Sequence, residues 1–291
     1  MKNKIKTPGN DIFSKKYDFS AKRSEKNQYF IVEFEVFGHA SNGKRKNIDK
    51  YKLFISREGD RYTCKKILFN RNDKPVVSVP SLAGWSYIFD VKSLNKDGVD
   101  NQGQMLGIPH TKFEKLTDST GAKLSIEAQY QVYSAFSYFH SWCNMIAENY
   151  SKDLKKIGDS IINDQSKVES PINLGSIFLD SSKFMHGIET IEFKGFCIVD
   201  DAMCAIVGYD ERGGGFKMHM KPMPLLKIKT ASGTRYMGDI YIDLDSLHVK
   251  KVNATVLDIS KTTMYRMPVD ITVLVTTLNI KSVPKNVFNK E

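Results

Sequence analysis

Long apolar runs are missing from this chain. No stretch approaches the ~20 residues that a membrane-spanning helix needs, which excludes a helical transmembrane segment. Cysteine is scarce: Cys64, Cys143, Cys197 and Cys204 are too few for a disulfide-stapled fold, and no C-x-x-C occurs. Proline is scarce too, at nine in 291 residues. With 41% hydrophobic and 26% charged residues, that points to an ordinary globular chain rather than a disordered or fibrous one.

Local catalytic signatures are also absent. The six histidines form no H-x-x-x-H or H-E-x-x-H set, and neither a G-x-S-x-G elbow nor a G-x-G-x-x-G fingerprint occurs. The three glycines of "YDERGGGF" lack the Lys-Ser/Thr pair of a phosphate loop and read as a flexible hairpin loop with Asp210, Glu211 and Arg212 at its exposed tip. Catalytic groups can still assemble from distant positions. The reading nevertheless leans away from an enzyme, with no cofactor, no metal and no catalytic residue assigned; a hydrolase built from scattered His, Asp and Ser residues is the remaining catalytic alternative.

Negative charge is in short supply, and the formal net charge is +10. Residues 1–26 hold eight Lys/Arg against Asp11, Asp18 and Glu25, or 8 − 3 = +5, so half the excess lies in under a tenth of the chain. The rest is nearly balanced for its size, so no basic groove is demanded and no nucleic-acid partner is expected. Residues 1–27 read as a basic, flexible arm. No 7–15-residue apolar stretch follows the basic start, so it does not read as a secretory signal; the chain is cytosolic, or a mature form whose leader is not in this sequence.

What is present is periodicity. In "QYFIVEFEVFG", Phe30, Val32, Phe34 and Val36 share one face while Glu33 and Glu35 point to the other, which predicts a strand with one buried face. "KYKLFISR", "YTCKKILF", "VVSV" and "GWSYIF" follow at turn-bounded intervals and extend an antiparallel meander over 28–122, with "NKDGVDNQGQ" as its most mobile loop. The period then changes. Val132, Phe136, Phe139, Cys143, Ile146, Tyr150, Leu154, Ile157 and Ile161 recur every three or four residues and predict one long helix from about 125 to 162, within a segment 123–165. Its first half carries aromatics on further sides and is expected to be buried; its second half keeps one stripe and is expected at the surface. From 172 to 291 strands resume without intervening helices, again implying antiparallel pairing. Two β-rich halves joined by the helix, or one continuous domain over 28–291, both fit.

Three local constellations bear on chemistry. "FKMHMKPMP" suggests a soft-metal site, but strand parity puts Phe216, Met218 and Met220 on one face and His219 with two lysines on the other, which favours an apolar row. Cys197 and Cys204 fall opposite one another if Asp200-Asp201 is a two-residue turn, as a disulfide or as two small buried hydrophobes. Asp239, Tyr241, Asp243 and Asp245 share a strand face that reads as solvated. His140, in the aromatic part of the helix, reads as a satisfied core or rim histidine.

The cadence "IETIEFKGFCIVDDAMCAIVGYD", then "FKMHM", then "YMGDIYIDLDSLHVKKVNATVLD" resembles the bacterial lipoprotein-carrier and lipoprotein-sorting superfamily over residues 188–258, mostly through Gly238, Ile240, Ile242, Asp243, Val249 and Val252. The resemblance implies a half-barrel of consecutive antiparallel strands closed by a helix, a lipid group held between them, and a periplasmic or cell-surface address in a diderm bacterium. The expected fold class is therefore α+β: a mostly antiparallel, strongly curved, half-barrel-like sheet with one long central helix on its concave face. The expected function is non-catalytic binding of a hydrophobic ligand, a lipid or acyl group, in the sheet–helix crevice. Trp85, Phe89, Phe136, Phe139, Trp142, Phe216, Met218 and Met220 are the candidate linings. The alternative is a structural or protein-interaction module without a small ligand.

Overall fold

A computed structural model describes residues 16–17, 27–40, 42–72, 74–94, 106–150, 153–171, 179, 181–223, 226–264 and 267–290. The expected flexible arm and the "NKDGVDNQGQ" loop lie outside the described residues, apart from Lys16, Tyr17 and Asn27.

The amino-terminal strands are β1 (Gln28–Ala40), β2 (Arg45–Glu58), β3 (Arg61–Arg71), β4 (Val77–Ser78) and β5 (Ser86–Ile88). The helix α1 (Ile126–His140) follows, capped by the Ser125 side chain, which accepts from the Ala128 N–H. The remaining strands are β6 (Ser160–Asp164), β7 (Glu169–Pro171), β8 (Lys183–Met185), β9 (Ile188–Val199), β10 (Ala202–Met223), β11 (Leu226–Asp243), β12 (Val249–Met264) and β13 (Asp270–Ser282), before a single turn, α2 (Lys285–Phe288). Every strand pairing is antiparallel.

Among the described residues all thirteen strands belong to one sheet, with β1 against β13 near its middle. The sheet is open: its path ends at β4 and β7 without closing. Among the described residues, strand accounts for 57% and helix for 16%. The class is thus mainly β rather than α+β.

The long helix also fails. α1 stops at His140 and passes into a π-helical segment, Ser141–Tyr150. Beyond it, Gly158 takes φ +89° and the Asp159 carboxylate accepts from the Lys155 and Lys156 backbone N–H groups, which fixes a turn. The stripe residue Ile161 then lies in β6, opposite Ile191 of β9. Its three- and four-residue spacing was accidental; β-branched Ile161 and Ile162 suit the strand.

Register explains the core. Phe193, Val207, Ile240, Val252, Ile280, Val32, Leu53 and Ile67 stand successively opposite one another across eight strands, and each is at most 1% exposed. This apolar rung lies on the inner face, the one covered by α1 and the π-helical segment. On the outer face, α2 buries Phe288 with Ile31 and Phe54 in a second, small cluster.

β10 corrects another expectation. It runs unbroken through "YDERGGGF", so there is no hairpin loop there, and Glu211 is buried rather than at an exposed tip. The glycines make a bulge: Gly213 takes φ +78°, and a Cβ at Gly215 would meet the Ser232 carbonyl oxygen at 2.1 Å, so only glycine allows this strand approach. By contrast, Asp200 and Asp201 form the two-residue turn with φ +46° and +63°, placing Cys197 opposite Cys204 as free thiols. Asp243 is not part of a solvated face: it is buried and accepts from the Asp245 and Ser246 N–H groups, closing the turn to β12.

Truncating Leu53 to Ala in the central rung should cost about 2–5 kcal/mol in denaturant unfolding. Ile271→Ala, on an exposed part of β13, should stay within about 0.5 kcal/mol of the parent.

Candidate functional site: a tyrosine–carboxyl crevice

Along the inner face, chemistry changes with distance from the apolar rung. Two residues towards the tips of the long hairpins, the next rung contains Ile191, Tyr209, Gly238, Ala254, Leu278, Phe34, Tyr51 and Phe69. Two residues further, Glu189, Glu211, Tyr236, Val256, Thr276, Val36, Asp49 and Arg71 stand in line. Past the β10 bulge come Gly214, Thr234, Asp258, Leu274 and Gly38. The same strand parity that buries aliphatic side chains at one end therefore buries carboxyls at the other.

One end of the polar rung is satisfied. Arg71 donates from Nε and Nη2 to the two Asp49 oxygens at 2.7 and 2.6 Å, a bidentate pair. The other end has more acceptors than donors. The Tyr209 hydroxyl lies 3.2 Å from Glu189 Oε1 and 3.1 Å from Glu211 Oε2, one proton between two carboxyls. Asn163 Nδ2 donates to Glu189 and the Gly187 N–H to Glu211, each at 2.9 Å. Burial, and then the neighbouring Glu211 charge, raises the Glu189 pKa; burial raises that of Glu211.

Asp258 stands apart from this pair. It is 9% exposed, and burial alone pushes its pKa up to about 7. Its Oδ1 has no hydrogen-bond partner, and neither has Oγ1 of Thr234, directly opposite on β11 and 6% exposed. Two orphan polar atoms side by side on a folded sheet face are unusual, because each forgoes hydration without compensation.

The helix supplies the facing wall. Tyr130, Ser134 and Tyr138 follow a four-residue spacing on α1, which puts them on one side. Tyr138 packs edge-on to Tyr236 at 6.0 Å between centroids. Asp258 charge is felt by Tyr130 and Tyr138, and Glu211 charge by Tyr138 and Tyr236; burial first, and these charges after it, raise all three hydroxyl pKa values. These hydroxyls remain protonated at neutral pH. Tyr130 nevertheless keeps 37% of its surface open, so this group of side chains reaches solvent at one end. Three phenol rings, three carboxyls and an unpartnered threonine hydroxyl thus lie together, where burial alone shifts Asp258 while the His186 charge acts on Glu189.

The expected linings divide into two groups. Trp85, Phe89, Phe136, Phe139 and Trp142 come together in the main core, where Trp85 packs on Phe136 at 5.6 Å and Trp142 on Tyr209 at 5.3 Å. Phe89 stacks on His140 at 4.1 Å. His140 bridges Tyr87 Oη and Asn144 Nδ2, each at 2.7 Å, and burial lowers its pKa so that it stays neutral. Phe216, Met218 and Met220 lie elsewhere, half-buried beyond the bulge on the β10 face shared with Gly214. His219 faces away from them, within 2.6 Å of the Ser181 hydroxyl. Among the described residues no three His, Cys, Asp or Glu side chains gather as a metal site.

Sequence reasoning missed Glu189, Glu211, Tyr236 and Asp258. A signal was there: Glu189 shares strand parity with Ile191 and Phe193, and Asp258 shares it with Val252, Ala254 and Val256. A carboxyl in an otherwise inward-facing series is more informative than one on a wet face.

No family model matches the chain, and no curated protein matches it. Among solved structures it is similar to the outer membrane channel DcaP of Acinetobacter baumannii, at 7% identity over 91% of this chain and 100% of that chain, with a TM-score of 0.21. It is also similar to OccK2 (OpdF) of Pseudomonas aeruginosa, solved with glucuronate, at 7% identity, 89% and 98% coverage and a TM-score of 0.20. A third is a Bacteroides fragilis protein described as exported, with a YmcC-like fold, at 9% identity, 88% and 97% coverage and a TM-score of 0.17. None of the three is a lipoprotein carrier, and at such TM-scores no shared fold or activity follows.

The raised Asp258 pKa has a measurable consequence. Relative to an ordinary value of 3.8, its contribution to stability is fully present below about pH 4 and is lost as pH rises through about 7. Asp258→Asn should therefore raise the unfolding midpoint at pH 8, by on the order of a few kcal/mol of stability, with the gain vanishing near pH 4. An equal effect at both pH values would show that this carboxyl is not desolvated.

Proposed function

We propose that the chain is a non-catalytic binding module whose ligand enters the crevice between α1 and the inner sheet face, and that this ligand is a hydrophobic molecule with a cationic amine or ammonium head. The observation that carries the reading is the unpartnered Asp258 Oδ1 opposite the unpartnered Thr234 hydroxyl. A buried carboxylate without a donor lacks a counter-charge, and a cation supplies one. Tyr130, Tyr138 and Tyr236 offer ring faces to an ammonium group. The hydrophobic part of the ligand is suggested by Phe216, Met218 and Met220, half-buried on the same face of β10 and adaptable in shape.

The lipid or acyl group implied by the lipoprotein-carrier resemblance thus stays within the proposal, with a charge requirement added. A periplasmic or cell-surface address in a bacterium belongs to the same proposal and rests on that resemblance; fractionation of the source cells tests it.

Dodecyltrimethylammonium below its micellar concentration is the direct probe, with choline and dodecanoate as controls for head and tail alone. Calorimetric titration should show binding of the full amphiphile, weaker binding of choline and none of dodecanoate. Affinity should rise from pH 6 to pH 8 as Asp258 ionises, and Asp258→Asn should remove that pH dependence. Equal binding of dodecanoate, or binding indifferent to Asp258→Asn, would contradict the proposal.

A further inference from the structure

The outer face carries a second recess of opposite charge. It has a volume of ≈ 570 Å³ and lies between α2 and the β2–β3 hairpin, with Phe54, Glu58, Arg61, Lys65, Lys66 and Lys285 among its lining residues. Phe54 is 2% exposed and forms an apolar base, over which the Lys66 and Lys52 ammonium groups sit 5.2 and 5.7 Å from the ring centroid.

A local break in the sheet builds this recess. Phe54 is opposite Lys66 while Ile55 is opposite Cys64, so Lys65 is an extra residue in β3. In a regular strand Lys65 and Lys66 would point to opposite faces; the bulge brings both to the recess. Arg61, at the start of β3, and Lys285, on α2, add two more cations, and Glu58 is the one acidic lining residue among the described residues. Arg57 is not counted, because its guanidinium donates to the Gly59 carbonyl and to Gln28 Oε1 and lies over the Tyr62 ring.

Four cations facing one recess repel one another, and a multiply charged anion offsets that repulsion. Phosphate oxygens suit both ammonium and guanidinium donors. The volume falls in the range of small-molecule sites, roughly 300–1,000 Å³. Phe54 is too deeply covered to stack with a nucleobase and Tyr29 already packs on Phe288 at 5.2 Å, so the chemistry favours a compact anion over a single-stranded nucleic acid. We propose that this recess binds a small, soluble, phosphate-bearing anion, independently of the cation-binding crevice on the other face.

Inorganic pyrophosphate titrated into the full chain at low ionic strength is the test. Saturable binding is expected, weakening as salt is added. The double variant K65E/K285E, altered at two exposed positions, should bind at least roughly tenfold more weakly, as loss of two charged contacts implies. K229E, an exposed change on β11, should leave binding intact, and matching unfolding midpoints would show that both variants fold. No saturable binding, equal affinity in K65E/K285E, or binding to phosphatidylglycerol vesicles or single-stranded DNA but not to pyrophosphate would overturn the proposal.

Discussion

The register between β1 and β13 is the constraint on which the rest of the molecule depends. It runs from Phe30 opposite Ser282 to Ala40 opposite Thr272 without a shift. That pairing joins the amino-terminal meander to the carboxy-terminal hairpins and aligns Val32 with Ile280, the centre of the eight-strand apolar rung. Strand side chains alternate with a period of two, so a slip of one residue would turn Val32, Phe34 and Val36 outward and Glu33 and Glu35 inward. The penalty for exposing one set and burying the other holds the sheet in a single arrangement. The carboxyl rungs are aligned by the same register, since along β12 they lie four and six residues beyond the apolar one.

This common origin explains why the crevice is polar yet desolvated. The long hairpins β10–β11 and β12–β13 carry inward-facing positions past the end of the aliphatic core, where α1 still covers them. Glu189, Glu211 and Asp258 inherit burial from their place in the strand, not from a partner waiting for them. Asp49 is the instructive contrast: it shares a rung with Glu211, but Arg71 opposite it supplies two charge-assisted hydrogen bonds. Asp258 stands between Thr234 and Leu274, neither of which brings a charge, and neither orphan atom engages the other. Stability is given up at the end of the sheet where Asp258 and Thr234 lie, and the proposed binding role rests on that feature.

Much of the sheet was legible in the residues. Alternation of Phe30, Val32, Phe34 and Val36 against Glu33 and Glu35 located β1 and its buried face, and Asp200-Asp201 located a hairpin and the Cys197–Cys204 register. The errors share a cause, which is that local pattern stands in for tertiary context. Ile157 and Ile161 matched a helical stripe by chance, but a positive-φ glycine and a β-branched pair placed Ile161 in β6. Gly213 to Gly215 read as a loop because strand interiors disfavour glycine, whereas the close approach of β11 demands it here. Phe136, Phe139 and Trp142 pack into the main core, which leaves the charged rungs as the feature with unmet needs. Those rungs were invisible because Glu189, Glu211, Tyr236 and Asp258 come from four strands and meet only through register.

The proposed binding role depends on a desolvated carboxyl at Asp258. The most direct measurement is the side-chain carboxyl ¹³C chemical shift of Asp258, followed by NMR through a pH titration with and without dodecyltrimethylammonium. A midpoint near 7 in the free chain that falls when the amphiphile is present is the predicted result. A midpoint near 4 in both titrations would mean that the carboxyl is hydrated and that the crevice has no charge left to satisfy.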